Sequence, residues 1–246
     1  MTRISVFLAL ALLVAAPTTT GWAADVSATV DLVSAYVFRG VTFNNSAVLQ
    51  PGLEVSGLPV TLGVWGNFDL ADYEEIGLES GQFTEVDIYG SYDIPVPTEA
   101  VGVSVGYTEY TYPSGGGDAD RELSLGAELG MALAPSLGIY YGVDGGIEDS
   151  LYVEASVGHD VELPGEMSLG LGATVAYSSP DEGEDGFSHY TASADLSCGM
   201  FVVGLTYIGQ IDDDVLADMA EATEDTEASA GYDTELVAKI GISRDF

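Results

Sequence analysis

The sequence predicts an all-β protein: an up-and-down antiparallel transmembrane β-barrel of twelve strands. Three observations carry that reading. Apolar residues alternate with small or polar ones along most of the chain. The alternating segments are long. The connections between them differ in odd–even order.

Alternation comes first. In "MSLGLGATVAY", Met167, Leu169, Leu171, Ala173, Val175 and Tyr177 interleave with Ser168, Gly170, Gly172, Thr174 and Ala176. "LSLGAELGMAL" repeats the pattern from Leu123 to Leu133. A period of two puts successive side chains on opposite faces, which defines a strand rather than a helix. Twelve such segments succeed one another: 26–39, 46–56, 59–70, 82–93, 100–112, 121–133, 136–144, 150–159, 166–178, 187–197, 200–209 and 234–246. Most hold 9 to 14 residues. Strands of globular proteins cluster at about 5–6 residues, whereas a tilted strand needs about 9–11 to cross a bilayer.

The connections give an independent signal. Those after even segments are short: 56–59, 94–99, 134–135, 160–165 and 198–199. Those after odd segments are mostly longer and acidic or Gly-rich, as in 71–81, 113–120, 145–149, 179–186 and 211–233. Only the first, "GVTFNN" (40–45), is short and uncharged. Alternate connections of an up-and-down barrel lie at opposite rims, so one rim is tight and the other looped and anionic. Short periplasmic turns and longer extracellular loops have this asymmetry. A secreted β-sandwich also alternates, but it explains neither the strand lengths nor the loop order.

The chain ends on Phe246, at the foot of a stripe formed by Leu236, Ala238, Ile240 and Ile242. A C-terminal Phe on an alternating strand resembles the signal by which outer-membrane barrels are recognised for assembly, which makes barrel-assembly machinery an expected partner. Arg244 takes an outward position on that strand and is expected to snorkel at the interface. Tyr36, Phe38, Phe68, Tyr107, Tyr177, Tyr190 and Tyr207 fall where the strands should meet the other interface, suited to an aromatic girdle.

Residues 1–23 read as a secretory signal peptide, with Arg3 as the positive n-region, Ile4–Ala16 as the apolar h-region and Gly21-Trp22-Ala23 before the cut. Residues 24–246 then form the barrel. The expected address is a bacterial outer membrane with both termini periplasmic, in contact with lipid and lipopolysaccharide. Forty acidic residues face five basic ones, which excludes nucleic acid as a partner, since phosphate binding needs clustered Lys and Arg. A 47% hydrophobic composition excludes an acidic disordered tail. Cys198 stands alone, so no internal disulfide forms.

"DLVSAYVFRGVTFNNSAVLQPGLEVS" (31–56) resembles the start of the TorF-type porin-like proteins. Tyr36-Val37-Phe38-Arg39-Gly40 matches their aromatic-x-Phe-Arg-Gly block, and "GVWGNFDL", "EVDIYGSY", "YTEYTYP" and "ELSLGAEL" come after it in that family's order. The likeness covers about the first half of the mature chain. It implies an outer-membrane barrel and a pore.

If the apolar phase meets lipid, the opposite phase faces the lumen. The charged lumen candidates are Asp31, Arg39, Glu54, Glu85, Asp87, Glu128, Asp144, Glu154, Asp195 and Lys239. Acids outnumber bases, and charged rings set ion preference in pores. The expected function is passive diffusion of small solutes with cations favoured. The alternative is a plugged structural or surface-binding barrel, in which Arg39 and Lys239 pair with carboxylates and close the lumen. Barrels of about eight strands are filled by side chains and those of about 16–18 hold water; twelve lies between.

Enzyme chemistry is not expected. The two histidines are His159, near a tight turn, and His189, whose neighbour Ser188 should point to the opposite face. No cofactor is expected. Asp181, Glu182, Glu184 and Asp185 form an acidic loop that could hold Ca²⁺ or Mg²⁺ weakly, but their spacing does not fit an EF-hand.

Overall fold

The computed structural model describes residues 24–72, 79–98, 100–115, 117–216 and 234–246. The expected signal peptide (1–23), part of the 71–81 loop and most of the 211–233 loop lie outside the described residues. No described helix is long and apolar enough to cross a membrane.

Among the described residues fourteen strands form: β1 (Asp25–Val33), β2 (Tyr36–Phe38), β3 (Val41–Asn44), β4 (Val48–Ser56), β5 (Val60–Asp69), β6 (Phe83–Asp93), β7 (Val101–Thr111), β8 (Asp120–Leu129), β9 (Ser136–Asp144), β10 (Leu151–Leu163), β11 (Met167–Ser179), β12 (Gly186–Cys198), β13 (Phe201–Gln210) and β14 (Leu236–Asp245). All but β2 and β3 close into one antiparallel barrel, in the order β1-β14-β13-β12-β11-β10-β9-β8-β7-β6-β5-β4. The barrel is therefore twelve-stranded, as the alternation predicts. β1 makes the seam, pairing Val30 with Ile242 on one side and Pro51 on the other. Phe246 extends the seam, its N–H donating to the Val26 carbonyl at 2.9 Å. Arg244 stacks over the Phe246 ring at 5.1 Å. Both ends of the strand ladder thus share one rim, the terminal rim, and the opposite rim carries the long loops.

The barrel is inverted relative to a soluble protein. Val30, Leu32, Leu62, Ile88, Leu123, Leu171, Phe201 and Ile240 are exposed on its outer wall. The buried apolar cluster lies inside instead, built from Val33, Tyr36 and Val48 with Phe38, Phe43, Trp65 and Val237 packed against it.

That interior cluster marks the main departure from the sequence reading. A single strand over 26–39 and a short connection over 40–45 are expected, but β1 stops at Val33. Residues 34–47 then turn inward, and 36–44 form a β2–β3 hairpin inside the barrel. Tyr36 and Phe38 therefore pack in the lumen rather than in an outer aromatic girdle. The physical reason is local. Arg39 and Gly40 form the two-residue tip with φ of 51° and 86°, and two consecutive left-handed residues make the turn that matches hairpin twist. Gly40 is required twice over, because a Cβ there would meet His189 Nδ1 at 2.8 Å and Leu216 Cδ2 at 3.0 Å.

Candidate functional site in the barrel lumen

The hairpin is held by the half of the wall that carries long polar side chains. Tyr36 donates its hydroxyl to Glu85 Oε2 on β6 at 2.7 Å. Its ring centroid lies 5.6 Å from that of Trp65 on β5. Phe38 meets Tyr110 of β7 at 5.9 Å. Arg39 makes the central contact, forking onto both oxygens of Glu122 on β8 at 2.7 and 2.9 Å. Its guanidinium also lies 4.8 Å from the Tyr140 ring centroid and 4.3 Å from that of Tyr152. Tyr110 donates a third bond to Glu122 at 3.1 Å. Arg39 suits this position because a planar fork satisfies a carboxylate bidentately while its faces stack on aromatic rings.

The remaining wall is built differently. β11 to β14 turn Gly170, Gly172, Thr174, Thr191, Ser193, Gly204 and Thr206 inward, since their outward neighbours Leu171, Leu196 and Leu205 are the exposed ones. Between this small-residue wall and the hairpin lies a cavity of about 540 Å³, lined among others by Tyr36, Trp65, Asp87, Thr191, Thr206 and Lys239. A second cavity of about 370 Å³ shares Ser193 and Asp195 with it. A third, of about 350 Å³ beside the hairpin tip, shares Thr191, Thr206 and Ile208. Free volume thus runs along β12 and β13, past the hairpin rather than through it.

The charged candidates divide accordingly. Arg39 is a lumen residue, but it reaches the lumen from the hairpin tip rather than from a barrel strand. Lys239 pairs with Asp195 at 3.1 Å, both about one-third exposed. The Asp195 side chain lies across Gly204, where a Cβ would collide with Asp195 Oδ1, so glycine there makes room for the pair. Asp31 faces inward beside Gly241 on the neighbouring strand. Tyr89 donates to Glu54 at 3.1 Å and Tyr140 donates to Glu154 at 2.9 Å. Glu85 and Asp87 are buried on β6, while Glu128 is exposed on β8 opposite Ser136.

Asp144 is not a lumen residue. It forms an ion pair with Arg121, which also reaches Glu109, outside the bore at the looped rim. The register between β8 and β9 shifts at Arg121/Glu122, and an extra residue in one strand reverses the facing of the residues beyond it. A second shift, between Ala176 and Tyr177 against β12, corrects the reading of Ser188. Ser188 and His189 are both buried, with Ser188 Oγ 3.0 Å from His189 Nδ1, rather than on opposite faces.

Asp181, Glu182, Glu184 and Asp185 lie on the exposed β11–β12 loop, where Asp185 accepts a hydrogen bond from Tyr177. Among the described residues, the group of three acids with ligand atoms within 4.8 Å of one another is Asp212, Asp213 and Asp214, all exposed. Asp212 Oδ1 there accepts from the N–H groups of Asp214 and Val215, which begins a helical turn at 213–216. That turn buries Val215 and Leu216 above the hairpin.

Glu122, Tyr110 and Tyr152 hold the hairpin, and the sequence pattern does not single them out. Parity could find two of them: Glu122 shares the phase of Glu128, and Tyr152 that of Glu154. Parity carries no sign that a basic residue from another segment reaches them.

No curated protein matches the chain. Among solved structures it is similar to an outer membrane channel from Pseudomonas putida F1, at 12% identity over 93% of this chain and 97% of that one, with a TM-score of 0.48. It is also similar to the Acinetobacter baumannii outer membrane protein Omp33, at 10% identity over 92% and 97%, with a TM-score of 0.44. The TorF-type name stays a resemblance of the residues that carry it. A family model matches residues 17–235, and the chain belongs to that family, described as "Bacterial protein of unknown function (Gcw_chp)".

Proposed function

We propose that this chain is an outer-membrane barrel through which small solutes diffuse passively, with cations preferred, along a bore that the β2–β3 hairpin narrows from one side. The supporting observation is the run of cavities that share residues along β12 and β13, from Asp195 to Ile208. A barrel wall satisfies its own backbone hydrogen bonds, so it can meet lipid without further partners. The exposed apolar outer wall fits that surrounding, with lipid and lipopolysaccharide as its contacts and both termini in the periplasm after removal of residues 1–23. Among the described residues, lumen carboxylates outnumber the two lumen cations, Arg39 and Lys239, and both of these are paired. The potential along the bore is therefore negative, which favours cations.

Planar-bilayer conductance under a KCl gradient tests this reading. Discrete steps with a reversal potential favouring K⁺ are expected, and charge reversal at Glu128, Glu154 or Asp195 should weaken that preference. A heat-modifiable barrel that inserts and never conducts would overturn it. One observation favours the plugged structural barrel as a second reading: the bidentate Arg39–Glu122 pair, stacked between Tyr140 and Tyr152, anchors the hairpin firmly.

A further inference from the structure

The lumen carries carboxylates for which the described residues supply no counter-charge. The described residues include four basic side chains, and each is committed elsewhere. Arg39 holds Glu122, Lys239 holds Asp195, Arg121 holds Glu109 and Asp144, and Arg244 lies over Phe246. Glu85 and Asp87 stand two apart on the inward face of β6, only 6% and 8% exposed. Glu85 accepts the Tyr36 hydroxyl. Asp87 Oδ1 has no hydrogen-bond partner, and no basic side chain among the described residues pairs with either acid. A buried carboxylate without a counter-ion is costly; it takes up a proton or gains a cation from outside the protein, and a cation seated at the open side of Asp87 competes with that proton.

Room for that cation adjoins Asp87. Asp87 lines the cavity of about 540 Å³ together with the aromatic rings of Tyr36, Phe38 and Trp65. Much of the remaining wall is valine, threonine, serine and glycine. A cavity of this size suits a small organic molecule, since ligand pockets run to about 300–1,000 Å³. Aromatic faces attract cations, organic ammonium groups in particular, and a single inorganic ion would gain nothing from the apolar part of the wall. We infer that this cavity binds a small organic ammonium solute, its charged head at Asp87 and its carbon skeleton against Trp65 and Tyr36. The inference names a solute class for the passage proposed above and rests on that reading only in that the cavity must be reached from solution.

Trp65 is its own reporter. The chain has two tryptophans, Trp22 and Trp65, so a chain beginning at Ala24, which contains every barrel strand, has Trp65 alone. The detergent-refolded barrel is titrated with choline chloride and its tryptophan emission followed. The controls are NaCl and MgCl₂ at equal ionic strength and 3,3-dimethylbutan-1-ol, the uncharged isostere of choline. The expected result is a saturable change with choline and none with the controls. Asp87→Asn should weaken binding roughly tenfold, equivalent to about 1.4 kcal/mol, whereas Asp72→Asn, in a rim loop outside the cavity lining, should bind as the unaltered protein does. An equal response to the isostere or to either salt would overturn the inference, as would an unchanged response in folded Asp87→Asn. The salt and isostere arms use the unaltered protein, so they decide the matter even if Asp87→Asn does not fold. Choline binding by a barrel that never conducts keeps the site and removes the passage; conduction without a choline response does the reverse.

Discussion

The inward faces of β5–β10 and of β11–β14 are two different surfaces of one barrel. The first presents Trp65, Glu85, Tyr110, Glu122, Tyr140 and Tyr152, which reach the hairpin by ring contacts and hydrogen bonds. The second presents mostly glycine, serine and threonine, with the Lys239–Asp195 pair among them, and borders the free volume. This contrast displaces the free volume from the barrel axis. Long side chains on one wall seize the hairpin, short ones on the other leave a gap, and solute would pass on the short side. Toward the second wall the hairpin's links are fewer: Gly40 sits against His189, Val237 packs on the Tyr36 cluster, and Thr234 donates its backbone N–H to Thr42 Oγ1 at 3.1 Å.

Arg39→Ala should disturb this asymmetry most. It leaves Glu122 buried without its partner, at a cost of about 3–5 kcal/mol. The midpoint of heat-dependent mobility on a denaturing gel should fall, and conductance should rise as the hairpin loosens. The double substitution Arg39→Met with Glu122→Leu removes both charges together and should recover much of the stability, since a buried ion pair is often replaceable by apolar packing. If Arg39→Ala left conductance unchanged, the hairpin would not be what narrows the bore.

Thr206→Phe acts on the opposite wall. It should lower conductance while shifting stability by no more than about 1–3 kcal/mol, the usual range for a single substitution, because no long-range bond is lost there. A change in conductance from Arg39→Ala but not from Thr206→Phe would move the passage to the hairpin side.

Lys239→Gln tests charge with little change of volume. The Lys239–Asp195 pair is about one-third exposed, so its loss should cost no more than about 1 kcal/mol. Freeing Asp195 should raise the K⁺ preference seen in the reversal potential. Asp72→Asn, outside both walls, should have the smallest effect. Ser80 donates its backbone N–H to Asp72 Oδ1 at 2.7 Å, and this bond holds the Asp72 carboxyl below the usual carboxylate range. Its contribution is therefore present at neutral pH and is lost as pH falls through that lowered value. The variant should exchange the Ser80 amide proton faster at pH 7 and leave conductance alone.

Sequence pattern alone dictates the barrel. Strict alternation over segments such as Met167–Tyr177 fixes which side chains share the outer face, because a period of two admits no other assignment. The odd–even order of loop lengths fixes antiparallel topology, and together they place Asp195, Glu154 and Lys239 on the inner face. Parity fails where the backbone leaves the regular ladder, and Asp144 and Ser188 lie beside such register shifts. The hairpin is illegible for a related reason. Tyr36, Phe38, Val41 and Phe43 look like a strand and a short connection, because an apolar residue inside a barrel is indistinguishable in sequence from one facing lipid. Tertiary contact is what brings Arg39 to Glu122, 83 positions apart, and leaves the long polar side chains on one side and the bore on the other. Local pattern records the face a residue turns to. What fills the space behind that face depends on contacts between segments far apart in the chain, and the barrel must close before those contacts exist.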